Sequence, residues 1–173
     1  MARIVKSESP AAETPLLSLS DRDKLKKWVA GELTWAEVEG MSWEDAKAMA
    51  QVACDLAAAG RLEEARAIFE GMVEVNPKDT AAHSALGTVY QKLARPEAAL
   101  TEYGHALALD PENPVALANR GELRLKQGDP GGCADLALAI ASDPEGRTSA
   151  GRRASAIAKA LALVAAEQGG LKV

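Results

Sequence analysis

Aromatic residues and cysteine are scarce in this sequence of 173 residues. Phenylalanine, tryptophan and tyrosine together make up 3% of the chain, although hydrophobic residues make up 47%. Much of the apolar content is alanine, which is typical of helices that pack closely. A chain of this length can form one domain with a substantial core. The composition therefore favours an all-α fold with small side chains between its helices.

Long apolar runs and an excess of positive charge are also missing. No run approaches the roughly 20 residues needed to span a bilayer, and the start of the chain lacks the continuous apolar core of a secretory signal. The formal net charge is -5 and the pI is near 5.2, whereas nucleic-acid affinity rests on clustered Lys and Arg. We therefore expect a cytoplasmic protein with no nucleic-acid partner and no direct membrane insertion.

The residue types that supply most catalytic bases and metal ligands are few. His83 and His105 are the only histidines; Glu102 and His105 share a predicted helix face, without a further ligand at metal-like spacing. Cys54 and Cys133 fall in different segments, and we expect both to be reduced thiols. The stretch GDPGG follows no predicted strand and lacks the Gly-Lys-Ser/Thr of a phosphate loop. The sequence therefore predicts no catalytic site, no metal and no cofactor.

A pattern with a period of 34 residues dominates the middle of the chain. A small residue, an aromatic residue and a proline recur at the same spacing, as Ala65, Phe69 and Pro77 and then as Ala99, Tyr103 and Pro111. A third copy ends at Pro144. Each copy contains two apolar helical patterns, a breaker between them and an Asn-Pro or Asp-Pro stop. Each copy is therefore predicted to be a helical hairpin.

These copies resemble the tetratricopeptide repeat, whose period is about 34 residues. That family places small residues where the two helices of a repeat cross, because a close crossing leaves no room for large side chains. Small residues stand at both crossing positions here: Ala53, Gly87 and Gly121 on the first helices, and Ala65, Ala99 and Gly132 on the second. The resemblance implies an α-solenoid of three hairpins with N-terminal helices and a C-terminal capping helix.

The segments around the repeats differ in composition. We predict a disordered tail over 1-17, an N-terminal helical segment over 18-41, the three repeats over 42-145, a C-terminal capping helix over 146-168 and a tail over 169-173. The N-terminal segment contains Trp28, Val29 and Trp35. Because the first repeat must cover its apolar face, this segment either caps the solenoid or forms the surface of a homodimer.

The resemblance also implies where a partner binds. In tetratricopeptide proteins the first helices of the repeats line a concave groove that holds an extended segment or a helix of a partner. The family's groove positions correspond here to Lys47, Ala50, Cys54, Ala57, Ala81, Ser84, Thr88, Gln91, Lys92, Val115, Ala118, Glu122, Leu125 and Lys126. One subtype clamps a partner's terminal carboxylate. Its candidates are Lys47, Lys92, Asn119 and Lys126, but the ordered clamp pattern is missing.

A narrower resemblance covers about Trp28 to Ala166. The lead-in GELTWAEVEGMSWEDAKAMAQVACDLAAAGRLEEARAIFEGM, the turn QKLARPEAAL and the run ANRGELRLKQGD are similar to the class II chaperones of type III secretion systems. This resemblance implies a bacterial chaperone that holds a segment of a hydrophobic translocator in its groove before export. Where those chaperones carry bulky groove residues in the first repeat, this chain has Ala50, Cys54 and Ala57. The alternative is a general bacterial scaffold that assembles a soluble complex.

Overall fold

The computed structural model describes residues 42–169, together with Lys27 and Gly40. Residues 42–169 form seven helices and no strand. The helices are α1 (Trp43–Ala58), α2 (Leu62–Val75), α3 (Thr80–Lys92), α4 (Pro96–Leu109), α5 (Pro114–Lys126), α6 (Gly131–Ser142) and α7 (Ser149–Gly169). Hairpin 1 is α1 with α2, hairpin 2 is α3 with α4, hairpin 3 is α5 with α6, and α7 packs on α5 and α6. The predicted all-α solenoid of three hairpins is confirmed.

Polar residues before the first helix of each hairpin fix where that helix begins. Ser42 and Asp45 form a capping box before α1, in which each side chain accepts the backbone N–H of the other residue at 3.1 Å. Asp79 and Asn113 cap α3 and α5 by accepting the N–H group three residues ahead at 3.0 Å. A cap of this kind stabilises a helix by about 1 kcal/mol. In both cases the capping residue therefore follows by two positions the proline that ends the previous hairpin.

The turn inside each hairpin uses the same backbone conformation. The φ angle is +80° at Gly60, +56° at Ala94 and +80° at Gly128, and these positions follow the period of 34 residues. The left-handed region costs roughly 1–2 kcal/mol for a residue with a Cβ atom and is open to glycine. Hairpin 2 therefore contains backbone strain at Ala94 that hairpins 1 and 3 avoid.

Glycine allows the helices of hairpins 2 and 3 to cross closely. A Cβ atom added at Gly87 would lie 2.6 Å from Cε1 of Tyr103. One added at Gly121 would lie 2.9 Å from the carbonyl oxygen of Gly132, and one at Gly132 only 2.4 Å from that of Gly121. Real Cβ atoms do not approach other atoms so closely. The small crossing positions implied by the tetratricopeptide resemblance are confirmed in both hairpins.

Two clusters of buried side chains form the core. The first lies between α1, α2 and α3 and contains Phe69; the second lies between α4, α5, α6 and α7 and contains Tyr103. Tyr90 of α3 packs against both clusters, so the hairpins form one continuous row. Burying a large apolar side chain contributes about 1.5–3 kcal/mol. The fold is therefore stabilised by apolar contacts both within the hairpins and between neighbouring hairpins.

The first helix leaves an apolar face open at the N-terminal end of the described chain. Met49 and Val52 of α1 are exposed, whereas His83 and Leu86, which follow them by one period, are buried. Within the row this face is covered by neighbouring helices. On α1, no residue that the structure describes covers it. Such a face needs either a cap or a second subunit.

Most flanking predictions fall outside the described residues. This holds for the tail over 1-17, for the final residues 170–173, and for the segment over 18-41 apart from Lys27 and Gly40. Trp28, Val29 and Trp35 lie in that undescribed part. The cap and the dimer surface therefore both stay predictions.

The start of α6 differs from the sequence interpretation. The sequence predicts a turn through Gly131 and Gly132, but α6 begins at Gly131. The side chain of Asp129 accepts the N–H of Gly131 at 2.8 Å and closes the turn earlier, in the manner of an Asx turn. Gly132 consequently lies in the first turn of α6, where it faces Gly121 of α5.

The last helix, α7, is longer than any other described helix. Its start is held by the buried carboxylate of Asp143, which accepts 2.8 Å bonds from the N–H groups of Arg147 and Thr148. The hydroxyl of Thr148 and these N–H groups hold the pKa of Asp143 below its usual range. Ala154 packs in the second core, but Leu161 is exposed. None of the seven helices combines the length and the apolar composition of a membrane span.

The exposed end of α7 follows from its length. The helix has 21 residues, against 13 in α5, so at 1.5 Å per residue it is about 12 Å longer. Ala154, Leu161 and Val164 lie at helical spacing in the sequence, which predicts one apolar face, but Val164 is exposed like Leu161 and Leu163. The first half of α7 therefore covers hairpin 3, and no described residue covers the apolar side chains of the second half.

Candidate functional site

The first helices of the hairpins form one continuous surface. α1 contacts α3, α3 contacts α5, and α7 continues the row beside α5. We name as the A-helix wall the exposed and half-buried groove residues of α1, α3 and α5, together with Arg153 of α7. In α1, Lys47 and Cys54 are exposed, and Ala50 and Ala57 are half-buried. Apart from Lys47, this end of the wall therefore presents short side chains to solvent.

The groove residues predicted in α3 divide into two groups. Ala81 and Lys92 are exposed, and Thr88 and Gln91 are half-buried. Ser84 is buried, and its hydroxyl has no hydrogen-bond partner among the described residues. The sequence interpretation of Ser84 as a groove residue is therefore corrected: its side chain is enclosed beneath the wall.

One of the groove residues predicted in α5 is fully buried in the structure. Val115 and Lys126 are exposed, and Glu122 and Leu125 are half-buried. Ala118 has a relative exposure of 0% and belongs to the second core. Because α3 and α7 both pack against α5, this position is covered by its neighbours. Ala118 is therefore a core residue and does not contact a partner in the wall.

Polar side chains join α3, α4 and α5 at the centre of the wall. The hydroxyl of Tyr103 donates to Oε1 of Gln91 at 2.8 Å and lies 3.4 Å from Oγ1 of Thr88. Nδ2 of Asn119 donates to the same Thr88 oxygen at 3.0 Å. Thr88 in turn donates to the carbonyl oxygen of Ser84 at 2.9 Å. Thr88 therefore links hairpin 2 to hairpin 3.

The polar contacts continue from α5 to α7. Arg153 donates to the side-chain oxygen of Asn119, and its Nε lies 3.3 Å from Oε2 of Glu122. Lys126 forms an ion pair with Oε1 of Glu122 at 2.7 Å. Glu122 thus lies between two cations. We name the chain of contacts from Gln91 through Tyr103, Thr88, Asn119, Arg153 and Glu122 to Lys126 the polar ladder.

Burial keeps the tyrosine of the polar ladder neutral. Tyr103 is fully enclosed, and removal from water raises the pKa of its hydroxyl to about 12, although the hydrogen bonds with Thr88 and Asn119 act in the opposite direction. The hydroxyl is therefore a fixed donor at neutral pH. It holds the half-buried Gln91 in place, and a fixed polar group of this kind along a groove can bind the backbone of an extended segment, which carries one donor and one acceptor per residue.

Three members of the polar ladder are not predicted as groove residues from the sequence. Tyr103 is recognisable as a crossing residue, Asn119 only as a clamp candidate, and Arg153 as part of the closing helix. The hydroxyl of Tyr103, where hairpin 1 has Phe69, is the one signal in the sequence for a polar partner nearby. Arg153 carries no such signal, because its contacts depend on how α7 packs against α5.

A second cluster lies on hairpin 2, outside the A-helix wall. His83 of α3 and Glu102 and His105 of α4 offer ligand atoms that lie within 4.8 Å of one another. We name these residues the hairpin 2 triad. They are 19 and 22 positions apart along the chain, so the predicted helix face of Glu102 and His105 shows only two of them. The fold supplies the third ligand.

Comparison with known proteins agrees with this architecture. Residues 56–103 match the family model of the tetratricopeptide repeat. The structure is similar to the type III secretion translocator chaperone SycD of Yersinia enterocolitica, with a TM-score of 0.67 and 22% identity over 74% of this chain and 98% of SycD. No curated protein sequence matches the chain.

Two complexes with bound peptides have the same fold. PcrH of Pseudomonas aeruginosa, bound to the chaperone binding region of PopD, has a TM-score of 0.64 and 23% identity over 72% of this chain and 96% of PcrH. The first tetratricopeptide domain of Spaghetti, bound to an HSP90 peptide, has a TM-score of 0.62 and 16% identity over 72% of this chain and 96% of that domain. The resemblance to tetratricopeptide proteins and translocator chaperones is thus confirmed at the level of fold.

Proposed function

We propose that this chain is a bacterial chaperone that acts in the cytoplasm, without a catalytic step, and holds an extended apolar segment of an export substrate on its A-helix wall. The observation that carries the proposal is the likeness of three hairpins and a closing helix to SycD and PcrH, of which this chain covers 98% and 96%. PcrH is bound to the chaperone binding region of PopD, and SycD is bound to a peptide of the translocator YopD. A hydrophobic translocator segment is the corresponding client proposed here.

The A-helix wall offers two kinds of contact along one row. At α1 the short side chains of Ala50, Cys54 and Ala57 leave room for apolar side chains of a client. At α3, α5 and α7 the polar ladder has four half-buried or exposed members whose positions are already fixed by contacts within the chain: Gln91, Glu122, Lys126 and Arg153. Fixed groups lose little conformational freedom on binding. An extended segment with apolar side chains at alternate positions fits this arrangement.

The physical action proposed is mass action. A client segment held on the wall cannot aggregate or insert into a membrane, because binding lowers the concentration of the free apolar form. Moderate affinity allows release, because a weaker complex of this kind differs from a tight one mostly by its faster dissociation. No energy source is needed for such a holding function.

A general peptide-binding scaffold is the second candidate, because the Spaghetti domain has a nearly equal TM-score. Its clamp variant is less well supported by the contacts here. Asn119 is buried and bonded to Thr88 and Arg153, and Lys126 is paired with Glu122. Two of the four clamp candidates are therefore already engaged within the chain.

The test is co-expression with a translocator encoded by the same genome, followed by measurement of the client's soluble fraction and affinity. Cys54→Arg places a long cation on the wall, and Cys133→Arg places the same change on α6; both cysteines are exposed. An unpaired charge in an apolar contact costs several kcal/mol, so Cys54→Arg should weaken binding by about tenfold or more. Cys133→Arg should bind the client as the wild type does.

Three outcomes separate the candidates. A client that stays soluble with the wild type and with Cys133→Arg, but not with Cys54→Arg, supports the chaperone. Equal weakening of client binding by both variants would indicate that the client does not bind specifically to the A-helix wall. If only partners that are soluble alone bind the wall, the scaffold becomes the better account.

A further inference from the structure

The hairpin 2 triad has the chemistry of a metal centre. Nδ1 of His83 lies 2.7 Å from Oε2 of Glu102, and Nδ1 of His105 lies 3.7 Å from the same oxygen. None of the three residues belongs to the A-helix wall. We propose that the triad is a binding site for Zn²⁺, a role that is independent of the proposed chaperone function.

The surroundings of His83 determine which of its nitrogens can bind a metal. Its Nε2 lies 3.1 Å from the carbonyl oxygen of Pro77. A carbonyl oxygen only accepts hydrogen bonds, so Nε2 carries a proton. In the neutral ring, Nδ1 then directs its lone pair at the carboxylate of Glu102, which also only accepts. In this tautomer a cation can bridge the two acceptors.

A backbone carbonyl bonded to the far nitrogen is also a common feature of metal-binding histidines. That bond fixes the ring orientation and raises the basicity of the nitrogen that faces the metal. Pro77 supplies this contact from the loop that precedes α3. The second contact shell of a zinc site is therefore already present at His83.

The spacing of the triad suits tetrahedral coordination. Ligand atoms at about 2.0–2.2 Å from Zn²⁺ lie roughly 3.3–3.6 Å from one another. Two of the observed separations, 2.7 and 3.7 Å, fall on either side of this range, and all three separations lie within 4.8 Å. The side chain of His105 is 57% exposed, so it can adjust at little cost. Two imidazoles and one carboxylate are also an established ligand set for zinc with an open fourth position.

The equivalent carboxylate of hairpin 3 shows what Glu102 lacks. Asp135 occupies in α6 the position that Glu102 occupies in α4. It accepts bonds from Arg120 at 2.8 Å and from Arg124 at 3.0 Å, which neutralise it within the chain. Glu102 instead contacts two imidazoles. The same carboxylate position is therefore closed by arginines in hairpin 3 and open to a cation in hairpin 2.

A shallow pocket beside the triad gives access to the fourth coordination position. It has a volume of about 280 Å³ and is lined by Pro77, His83, His105, Ala108 and Leu109. A water molecule can complete the coordination there. Zn²⁺ then replaces the proton between the imidazole and the carboxylate, and it joins α3 to α4.

The test uses the full chain, without an affinity tag, in a Cys54→Ser and Cys133→Ser background, because exposed thiolates also bind zinc. Calorimetric titration with zinc chloride should show one saturable site. His105→Ala removes an exposed ligand and should weaken zinc binding by about 100-fold or more. This is at least as large as the loss of metal affinity caused by removing a residue that only hydrogen-bonds to a ligand. Glu97→Gln, an exposed glutamate change on the same helix, should leave the affinity unchanged.

Nuclear magnetic resonance provides a readout that does not depend on stability. The chain has two histidines, so a ¹H–¹⁵N spectrum contains two imidazoles, and zinc should shift both together. Zinc should also raise the melting temperature of the parent but not of His105→Ala. Absence of saturable binding, or equal affinity in His105→Ala, would overturn the proposal and leave a proton alone between His83 and Glu102.

Discussion

Hairpins 2 and 3 share one register but are held together differently. In hairpin 2, Gly87 faces the ring of Tyr103; in hairpin 3, Gly121 and Gly132 bring two backbones into contact. An aromatic ring fills the crossing in the first case, and a carbonyl oxygen lies across it in the second. A repeat pattern therefore specifies that a crossing is close, while the pair of residues decides what makes the contact.

This difference affects the wall as well as the core. Tyr103 can fill the crossing of hairpin 2 and still direct its hydroxyl to Gln91 and Thr88. Leu136 occupies the equivalent position of hairpin 3 and has no polar group to offer. The residues that precede Tyr103 and Leu136 are both carboxylates, and they also differ in their partners. Glu102 of hairpin 2 is paired with histidine, and Asp135 of hairpin 3 is paired with arginine. At these two positions hairpin 3 thus has apolar packing and arginine pairs, whereas hairpin 2 has a hydroxyl bonded to the polar ladder and a carboxylate beside two imidazoles.

The largest effect is expected at the crossing of hairpin 3. Gly132→Ala places a Cβ atom 2.4 Å from a backbone oxygen, which can move only if the helices separate. Overpacking of this kind costs about 1–3 kcal/mol or more, and the gain in helix propensity of at most about 1 kcal/mol does not offset it. Taking the upper end of that cost, we predict a net loss of about 2 kcal/mol or more in urea unfolding.

The neighbouring glycine provides the control for this change. A Cβ atom at Gly131 would meet only the side chain of Asp129, at 3.0 Å, and a shift of a few tenths of an ångström relieves this contact while Asp129 keeps its bond to the Gly131 N–H. Gly131→Ala should therefore stay within about 0.5 kcal/mol of the parent. If Gly132→Ala unfolds at the same urea concentration as Gly131→Ala, the backbone contact between α5 and α6 is not what holds hairpin 3 together.

A smaller loss is expected at the crossing of hairpin 2. Gly87→Ala meets the ring of Tyr103, and a side chain can shift more easily than a backbone oxygen. We predict a loss of about 1 to 2 kcal/mol. In the Tyr103→Leu background the same change should cost less, and a double-mutant cycle measures the difference. Additive losses would show that the ring is not the obstacle.

The smallest effect is expected at the turn of hairpin 2. Ala94→Gly relieves a positive φ angle of +56° on an exposed residue. The relief of about 1–2 kcal/mol exceeds the roughly 0.4–1 kcal/mol that glycine adds to the entropy of the unfolded chain. Stability should therefore rise by about 0.5 to 1 kcal/mol by thermal unfolding. Gly128→Ala, the reverse change in hairpin 3, should lower it, and equal signs for the two variants would contradict the account.

The architecture was predictable because it depends on a pattern. Small crossing residues such as Gly87, turn breakers such as Gly60 and capping residues such as Asp79 recur at a fixed spacing, and each has a local physical reason. Details that depend on a neighbouring element were not predictable in this way. Ala118 is buried because α7 continues the row, and Arg153 enters the polar ladder for the same reason.

The hairpin 2 triad shows the same limit at a candidate site. Glu102 and His105 are visible as one helix face in the sequence, but His83 joins them only through the pairing of α3 with α4. Spacing rules for metal ligands apply along a helix or within a short loop. A ligand set divided between two helices of a hairpin falls outside those rules.

The measurement that tests the central claim most directly is photocrosslinking between this chain and a translocator client. A photoreactive residue is placed at Cys54 or Lys92 on the A-helix wall, or at Ala67 or Cys133 on the second helices; all four positions are exposed. The account predicts crosslinks from the two wall positions to one apolar client segment, and none from the other two. Crosslinks from Ala67 or Cys133 alone would contradict it.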